Sequence, residues 1–514
     1  MPKAKVTPIT KILILAVIGL GVFFGFKYLT GSNLMDNIAP KKGGSVAAGG
    51  NLSRKESKDV ITVGVVTWGG YAGGQYFNEG FRASKQSRFY KEYGILVEFK
   101  VIDDFNASRA AWKADEVDLM WITADAFPTE VNALQEYNPQ IIFQADWSRG
   151  GDALVVRRGI STVGDLRGKK VAVAYGTPSH TFLLWMLDAN NMTQKNITAV
   201  EVPSAIDAAT MFKSGRVDAA VVWSPDDEDC VQKVTGAKIL KSTKQATHII
   251  ADVFYAKQSF IDAHEEELKG LVEGWMRGAA EINSSNDAKQ KAAQILAEGL
   301  NQDEGFCLKA INNVRLCTFG DNKGFFEIDG CNACVTGEQL YTKMSEVYAQ
   351  VGIVKGMTPA WRTVTNTGIL RSINLSGVEH EGEGMQQYAK PTQKEASAPA
   401  FASKSVSIVF PTGSAHLDEN AKYIIDQEVA PVLKAMGGAR VRVEGNTDNT
   451  GGYQTNKALS LKRSQNSIDY LVNTYYFDRN RFIPVGNGPD KPIGDNTTQA
   501  GRAKNRRTEF QLLN

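Results

Sequence analysis

Cysteine and net charge are both scarce in this chain of 514 residues. It has 5 cysteines, too few for a scaffold held together by disulfides, and a formal net charge of +2, which gives no basic field to attract nucleic acid. Internal repeats are also lacking. Hydrophobic residues make up 43% and charged residues 22%, as in ordinary globular proteins, so wholesale disorder is excluded. The length therefore predicts several folded units. The small net charge argues against nucleic acid as a partner.

One long apolar run stands near the N-terminus, at residues 12–29. About 18 residues of helix can lie in the hydrocarbon of a bilayer. Basic residues before the run, Lys3, Lys5 and Lys11, place the N-terminus on the inside. The run lacks both a directly following small-x-small cleavage site and a lipobox cysteine. We therefore expect residues 1–30 to be a retained membrane anchor, with a cleaved signal as the alternative; either way, the rest is exported.

Two polar segments divide the exported part of the chain. Residues 31–58 are rich in Gly, Ser, Ala and Lys, and residues 377–404 are polar and rich in Pro and Ala. Neither segment shows an apolar period, so both predict flexible linkers. They leave two folded units, residues 59–376 and residues 405–514.

The first folded unit alternates between strand and helix patterns. Short apolar runs rich in β-branched residues predict strands at 61–66, 170–174 and 219–222, and amphipathic stretches predict helices at 179–190 and 205–214. Such alternation is typical of an α/β fold with parallel sheets covered by helices. Ligands in these folds bind at the carboxyl ends of the strands.

Three motifs in this unit carry a family resemblance. They are DLRGKKVAV at residues 165–173, the turn from Gly176 to His180, and SGRVDAAVVW at residues 214–223. The unit thereby resembles the nitrate/sulfonate/taurine-type periplasmic solute-binding proteins. The resemblance implies a two-lobed, type II periplasmic-binding-protein fold that closes on a small solute. Lobe one would comprise residues 60–154 and 254–375, and lobe two would comprise the residues between them.

Candidate solute-binding residues stand at the predicted strand ends and helix starts. They are Trp68, Trp121, Thr123, Asp125, Thr177, Ser179, His180, Trp223 and Asp226. Trp147 occupies a similar position. Core packing is the alternative for each tryptophan, and Asp125 is expected to begin a helix.

The polarity of the solute stays open, because two features of the sequence conflict. The turn at 176–180 opens a helix, whose free N–H groups favour an anion. The acidic run 226–229, together with Asp252, favours an amine, unless that run is only a solvated loop. A zwitterion or an amine suits both features better than nitrate does.

The C-terminal unit is predicted to be a second, smaller α/β domain. Its pattern predicts a strand at 406–410, a helix to about residue 436, a strand at 440–444, a helix at 456–473 and a last strand at 508–512.

Ordered motifs in this unit closely resemble the OmpA-like peptidoglycan-binding family. The sequence GNTDNTG at 445–451, Asn456, Leu459-Ser460, Arg463 and the segment 501–507 (GRAKNRR) match the family pattern in order and spacing, although Asn446 stands where many members have His. The resemblance implies that the domain binds diaminopimelate in wall peptides. Asp448 would take the ammonium group and Arg463 the carboxylate.

The full set of predicted peptidoglycan-binding residues is Thr447, Asp448, Asn449, Asn456, Leu459, Arg463 and Arg506. The alternative is that Asp448 caps the following helix and that Arg463 pairs with it on the surface.

Four of the five cysteines lie close together in the sequence: Cys307, Cys317, Cys331 and Cys334. Export favours disulfides among them, with unpaired thiols and a four-thiolate zinc site as alternatives. Connectivity cannot be read from the spacing. We expect neither a metal nor a cofactor.

These features predict a single-pass protein of the cell inner membrane with its bulk in the periplasm. It would bind peptidoglycan and a small solute, within a possible envelope complex and without catalytic residues. The alternative is a structural or partner-binding module whose solute-binding fold no longer binds a small molecule.

Overall fold

A computed structural model describes residues 60–331, 334–384, 386–406, 408, 410 and 413–513. The predicted anchor, residues 1–30, and the first predicted linker, residues 31–58, lie outside the described residues. Within the described part, no helix is both long enough and apolar enough to span a bilayer.

The strands follow one another along the chain as β1 (Ile61–Val65), β2 (Val97–Val101), β3 (Leu119–Thr123), β4 (Pro139–Ser148), β5 (Asp152–Val156), β6 (Lys170–Ala174), β7 (Thr198–Val202), β8 (Ala219–Trp223), β9 (Lys238–Ser242), β10 (Ala251–Lys257), β11 (Val314–Leu316), β12 (Ala400–Val406), β13 (Arg440–Asn446), β14 (Phe482–Gly488) and β15 (Thr508–Leu513). The α-helices are α1 (Ala72–Phe77), α2 (Arg88–Tyr93), α3 (Phe105–Lys113), α4 (Pro178–Asp188), α5 (Ala205–Lys213), α6 (Asp226–Lys233), α7 (Gln258–Ala263), α8 (Glu265–Ser284), α9 (Asn286–Leu300), α10 (Glu304–Asn312), α11 (Phe319–Phe325), α12 (Gly337–Gln350), α13 (Gly368–Ser372), α14 (Gln393–Ala396), α15 (Glu419–Ile424), α16 (Ala430–Ala435), α17 (Tyr453–Tyr475) and α18 (Gln499–Asn505). A π-helical turn (Ile425–Val429) joins α15 to α16.

Lobe one is built on a six-stranded sheet in the order β11-β4-β10-β3-β1-β2. Strand β1 is parallel to β2 and β3, whereas β10 is antiparallel to β3 and β4. Helices α1 and α8 pack so closely that a Cβ on Gly278 would lie 2.1 Å from the carbonyl oxygen of Gly73. The rings of Phe143, Phe254 and Trp275 pack together with centroids 4.9, 5.1 and 5.2 Å apart. This aromatic core holds the sheet against α8.

Lobe two is built on a five-stranded sheet in the order β7-β6-β8-β5-β9. The chain enters this lobe between β4 and β5 and returns to lobe one between β9 and β10. Both crossings lie a few residues earlier than the predicted lobe boundaries at 154 and 254. The predicted two-lobed α/β architecture is otherwise confirmed.

Local sequence explains most elements of these lobes. All five positions of β1, β3 and β5 are buried, as expected for apolar strands covered on both faces. The Ser204 side chain caps α5 by accepting a hydrogen bond from the Asp207 N–H at 3.2 Å. The predicted strands at 170–174 and 219–222 are confirmed as β6 and β8. The predicted helices at 179–190 and 205–214 are confirmed as α4 and α5.

The C-terminal domain has a four-stranded sheet in the order β12-β15-β13-β14, with α17 packed on β13 and β14. The predicted elements at 440–444, 456–473 and 508–512 are confirmed as β13, α17 and β15. The first strand was predicted wrongly at 406–410, because β12 covers Ala400–Val406 and pairs with β15 along that length. Phe401 and Ala402 of β12 are buried, within a stretch whose Ala and Ser content resembles a linker.

The segment 377–404, predicted to be a flexible linker, packs against both domains. Glu383 accepts a hydrogen bond from Arg149 at 3.0 Å at the crossing between the two lobes. Further along, Glu395 accepts one from Arg440 at 3.0 Å on the C-terminal domain. The segment therefore holds side-chain contacts at both ends.

Half of the predicted disulfide candidates form a disulfide. Cys331 and Cys334 are bonded to each other, whereas Cys307 and Cys317 are buried free thiols, as is Cys230. Cys307 lies in the core of helices α9 and α10, and Cys317 follows β11, so apolar packing encloses each thiol separately.

Candidate functional site

A narrow cavity of about 30 Å³ lies between the two lobes. Its lining comes from the loop after β1, from β3 and β10 in lobe one, and from β5, the start of α4 and the end of β8 in lobe two. The lining residues are Val66, Thr67, Trp68, Tyr71, Trp121, Thr123, Asp152, Pro178, Trp223, Ile250 and Asp252. The carboxyl ends of β1, β3 and β8 thus meet at one place, as the α/β pattern predicts.

Aromatic rings form most of the apolar wall of the cavity. Tyr71 and Trp121 have ring centroids 6.4 Å apart in lobe one. Phe105 lies behind them and contacts Trp121 at 5.4 Å and Trp223, from lobe two, at 6.4 Å. Trp223 and Trp68 are partly exposed, so their faces remain accessible from the cleft.

Strand register brings three carboxylates to the same place. Asp252 on β10 is paired with Asp146 on β4 and with Thr123 on β3. Asp152 begins β5 opposite Trp223 on β8. All three carboxylates are buried, Asp146 completely. Charged groups are rarely buried without a partner, so the cluster requires an explanation.

Each of these carboxylates, and the nearby Asp125, accepts at least one hydrogen bond. The donor and acceptor atoms are Tyr71 Oη to Asp252 Oδ1 (2.6 Å), Trp68 Nε1 to Asp146 Oδ2 (3.1 Å), Ser179 Oγ to Asp152 Oδ1 (3.2 Å) and the Ala251 N–H to Asp125 Oδ1 (3.3 Å).

Burial raises the pKa of all four carboxyl groups. It raises the pKa of Asp125 and of Asp152 to about 7 and that of Asp146 to about 8. Burial and the Asp146 carboxylate together raise the pKa of Asp252 well above its ordinary value. Near neutral pH the cluster therefore holds protons that an entering positive charge would displace.

Four buried polar atoms at or beside the cavity have no hydrogen-bond partner among the described residues. The indole Nε1 of Trp121 and the hydroxyl Oγ1 of Thr123 belong to the cavity lining, and Oδ2 of Asp125 and Oδ1 of Asp146 belong to the neighbouring carboxyl groups. Trp121 is 2% exposed and Asp146 is 0% exposed, so bulk water does not reach either atom. Unsatisfied buried polar groups are costly and often mark places that a ligand or an ordered water completes.

The structure brings together only part of the predicted solute site. Trp68, Trp121, Thr123 and Trp223 line the cavity, and Ser179 reaches it through Asp152. Asp125 is buried in the turn after β3 and does not begin an α-helix.

The positions Thr177, His180, Asp226 and Trp147 also lie outside the cavity lining. Thr177 donates its hydroxyl to the Ala174 carbonyl. His180 is buried, stacks on Tyr175 with centroids 4.6 Å apart, and has its pKa lowered to about 4 by that burial.

Asp226 begins α6 and pairs with Lys213 at 3.7 Å, which supports a structural role for the acidic run 226–229. Trp147 packs on His248 and lines a separate cavity of about 320 Å³ that also contacts the C-terminal domain.

The sequence patterns missed Tyr71, Asp146 and Asp152. Asp146 follows the buried residues Ile141 to Ala145 on β4, and Asp152 directly precedes the apolar run of β5. An acidic residue inside or next to a fully buried strand is the signal that would have found them.

The predicted peptidoglycan site lies at the end of β13 and on the first turns of α17. Asp448 accepts hydrogen bonds from Arg506 Nη1 at 2.7 Å and from the Thr450 N–H at 3.0 Å. Asn456 donates to the Thr450 carbonyl at 3.0 Å, which fixes the loop. Burial opposes ionisation of Asp448, but the bonds from Arg506 and Thr450 lower its pKa. Asp448 is thus a carboxylate at neutral pH.

Arg463 is the second charged group of this site. Its Nε donates to the Ser414 carbonyl at 3.0 Å, and its guanidinium carbon lies 4.6 Å from the centroid of the Phe410 ring. Among the described residues its two terminal nitrogens form no hydrogen bond, although the residue is 5% exposed. Burial and the nearby Arg506 charge lower the pKa of Arg463. The terminal nitrogens without partners and the positive charge of the nearby Arg506 both favour an anionic ligand.

The remaining predicted residues surround this pair. Thr447 is buried and donates to the Asp448 carbonyl, Asn449 is exposed, and Leu459 is half-buried. Asp448 pairs with Arg506 and not with Arg463, and α17 begins at Tyr453 without a side-chain cap. The alternative in which Asp448 caps the helix is therefore not what the structure shows.

Two protein families match this chain. Residues 409–506 match the OmpA family, and residues 80–288 match the NMT1/THI5-like family. The two matches fall on the C-terminal domain and on the two-lobed domain, respectively.

Curated relatives match one domain or the other. The outer membrane protein Omp38 of Acinetobacter baumannii is 43% identical over 96 residues, which is 18% of this chain and 27% of that protein. The peptidoglycan-binding protein ArfA of Mycobacterium tuberculosis is 45% identical over 90 residues, again 18% of this chain and 27% of that protein. The taurine-binding periplasmic protein of Escherichia coli is 27% identical over 194 residues, 37% of this chain and 58% of that protein. The chain thus spans about a quarter of the length of the first two relatives.

Proposed function

Because the chain joins an OmpA-family domain to an NMT1/THI5-like domain, we propose that it is an envelope protein that binds peptidoglycan and a small solute. The C-terminal domain holds the wall, and the cleft between the two lobes holds the solute. Residues 1–30 anchor the chain in the inner membrane with its bulk in the periplasm. No catalytic step is part of this function.

The observation that carries the solute-binding proposal is the composition of the cleft. Residues of both lobes enclose one cavity, and the buried lining residues Trp121 and Thr123 each have an unsatisfied polar atom. A ligand that satisfies these atoms and contacts both lobes favours the closed arrangement through its differential affinity.

The wall-binding proposal rests on two side chains of opposite charge, Asp448 and Arg463. Diaminopimelate carries an ammonium group next to a carboxylate. Asp448 is an ionised acceptor, and the terminal nitrogens of Arg463 are donors without partners among the described residues. One group of each sign lets the site recognise both ends of such a zwitterion.

A second candidate is a structural module that binds partner proteins in the envelope. The small size of the cavity, about 30 Å³, favours it. It predicts that no small molecule stabilises the protein.

Two measurements on the full chain in mild detergent test the proposal. Co-sedimentation with purified sacculi tests wall binding. A thermal-shift screen against amino acids, amines, sulfonates, phosphonates and nitrate tests solute binding, since a ligand at about 100 times its Kd stabilises by about 2.7 kcal/mol. A saturable shift is expected; its absence with every class would favour the structural module.

A further inference from the structure

We infer that the cleft takes a small organic cation whose ammonium group faces the buried carboxylates while its carbon atoms contact the aromatic wall. This inference rests on the proposed solute-binding function and names the chemical class of the ligand.

The charge around the cavity has one sign. Its described lining residues include the carboxylates of Asp152 and Asp252 but no Lys, Arg or His. Asp125 and Asp146 add two further carboxyl groups, whose charges act on the same cluster. An anion entering this site would have to approach these groups without a compensating charge, whereas a cation would be attracted to them.

The arginine beside Trp121, Arg109, does not change this conclusion. The guanidinium of Arg109 lies 5.0 Å from the centroid of a Trp121 ring, but it is not part of the cavity lining. Its Nε and Nη2 donate to the two oxygens of Glu130 at 2.8 and 2.9 Å. The Arg109 charge is therefore neutralised within lobe one.

The helix start that could have held an anion already has a carboxylate beside it. The Ser179 hydroxyl, in the first turn of α4, donates to Asp152 at 3.2 Å. A sulfonate at this position would compete with Asp152 for the same donor. The Asp152 carboxylate beside the helix start therefore disfavours a second anion there.

The aromatic residues of the cavity provide a second means of binding a cation. Trp68, Tyr71, Trp121 and Trp223 line the cavity together with the carboxylates. Ring faces attract cations by about 0.5–2 kcal/mol each, most strongly where water is excluded. No three acidic, histidine or cysteine side chains of the described residues converge to hold a metal ion. An organic cation suits this combination of rings and carboxylates.

The buried polar atoms without hydrogen-bond partners restrict the chemical class of the ligand further. On the cavity lining, Thr123 Oγ1 can accept a hydrogen bond, which an ammonium group donates, and Trp121 Nε1 needs an acceptor. An amine that also carries a hydroxyl or carbonyl oxygen provides both. The cavity of about 30 Å³ has room for roughly two or three water-sized groups. The amino end of a small amino alcohol, or of a larger solute, therefore fits the cavity.

A pair of matched probes tests this inference on the full chain. Ethanolamine and 2-hydroxyethanesulfonate share the hydroxyethyl group and differ in the sign of the charged end, and taurine combines both charged ends. We expect ethanolamine to raise the Tm saturably at pH 8 and the hydroxysulfonate to leave it unchanged. A rise in Tm with the hydroxysulfonate, or with taurine but not with ethanolamine, would refute the inference that the ligand is a cation. The proposed solute binding would still stand. No shift with any class in the wider screen would overturn both.

Asparagine variants then test which carboxylates attract the cation. Asp252→Asn keeps an acceptor for Tyr71 and removes the negative charge, and Asp152→Asn does the same for Ser179. Each is expected to melt no lower than wild type without ligand, because a repelled buried charge is lost, and to bind ethanolamine at least tenfold more weakly. Asp262→Asn, on the exposed surface of α7, is the matched control. Wild-type affinity in both cleft variants would overturn the inference.

Discussion

The phenolic oxygen of Tyr71 lies 2.6 Å from Oδ1 of Asp252, and this hydrogen bond joins the loop after β1 to strand β10 inside the cleft. Both side chains are buried, and burial raises the pKa of each. Asp252 also lies opposite Asp146 in the register of β10 and β4. The Tyr71 hydroxyl thus stabilises one carboxylate of a group whose members repel one another when ionised.

The ligand-free protein is expected to lose stability as the pH rises from 6.5 to 8. Carboxyl groups with pKa values of about 7 to 8 keep protons in the folded state that the unfolded chain, with an ordinary value near 3.8, has already released. Stability from these groups is complete below about pH 3.8 and is lost as the pH passes their folded pKa values. The slope approaches about 1.4 kcal/mol per pH unit for each proton retained.

The pH window matters because histidine acts in the opposite direction. Burial lowers the pKa of His180 from 6.5 to about 4, so this residue makes stability rise with pH between those values. Urea unfolding at pH 6.5, 7, 7.5 and 8 avoids that range. We expect Asp252→Asn to show a shallower decline than wild type. A free energy of unfolding that is constant or rises with pH in wild type would contradict the assigned carboxyl cluster.

Removing the Tyr71 hydroxyl is expected to destabilise the protein by about 1–3 kcal/mol, the usual range for leaving a buried acceptor without its donor. The loss should be larger at pH 8 than at pH 6.5, because the cluster ionises through the pKa values of about 7 to 8 at Asp125, Asp146 and Asp152 and a charged cluster depends more on its hydrogen-bond donors. Urea unfolding of Tyr71→Phe at both pH values measures this. Tyr453→Phe is the control, since Tyr453 is exposed and donates to the exposed Asp490; equal losses in both variants would rule out a special role for the buried pair.

The sequence predicted the architecture better than the chemistry of the cleft. Apolar β-branched runs predicted β6 and β8, and the ordered motif around Asp448 predicted the loop between β13 and α17, because both signals are local. The carboxylate cluster was missed because Asp146 and Asp252 lie far apart in the sequence and meet only through the pairing of β4 with β10. His180 was predicted at the cleft from its place at a helix start, but its ring stacks on Tyr175 instead.

Trp223→Leu is expected to weaken solute binding more than stability. Trp223 is partly exposed at the end of β8 and contributes a ring face to the cavity, so its loss should reduce cation affinity by about 1–2 kcal/mol. Isothermal titration with ethanolamine measures that change, and urea unfolding measures stability. Trp112→Leu is a contrasting variant, since Trp112 is fully buried outside the cavity lining. It should lower stability by about 3 kcal/mol or more while the folded fraction binds normally.

The reactivity of the thiols should distinguish the disulfide-bonded cysteines from the three free ones. Burial raises the pKa of Cys230 and of Cys307 to about 11 and that of Cys317 well above its ordinary value, so none is a reactive thiolate at pH 8. Ellman's reagent is expected to detect no thiol in the native chain. After unfolding without reductant it should detect 3 thiols, the 5 cysteines less the 2 in the disulfide. Detection of 5 thiols in the unfolded, unreduced chain would disprove the bond between Cys331 and Cys334.

Substitutions at Asp448 and Arg463 test the proposed peptidoglycan site of the C-terminal domain. Asp448→Asn removes the charge proposed to hold the ammonium group, and Arg463→Lys keeps a positive charge but removes the planar guanidinium proposed to hold the carboxylate. Each change is expected to reduce binding by about 2 kcal/mol or more, roughly thirty-fold. Asp448→Asn loses the charge opposite the ammonium group, and Arg463→Lys loses the paired hydrogen bonds that a guanidinium donates to a carboxylate. Co-sedimentation with purified sacculi, across a range of sacculus concentrations, measures the effect.

The control for both wall-site variants is Asp469→Asn on the same helix, α17. Asp469 is exposed and pairs with Arg479 at the surface, so its loss should change neither folding nor sedimentation. Circular dichroism melts of the three variants establish that they remain folded. If Asp448→Asn and Arg463→Lys still sediment as wild type does, the ligand does not bind between these two residues, and the exposed Arg506 becomes the next residue to substitute.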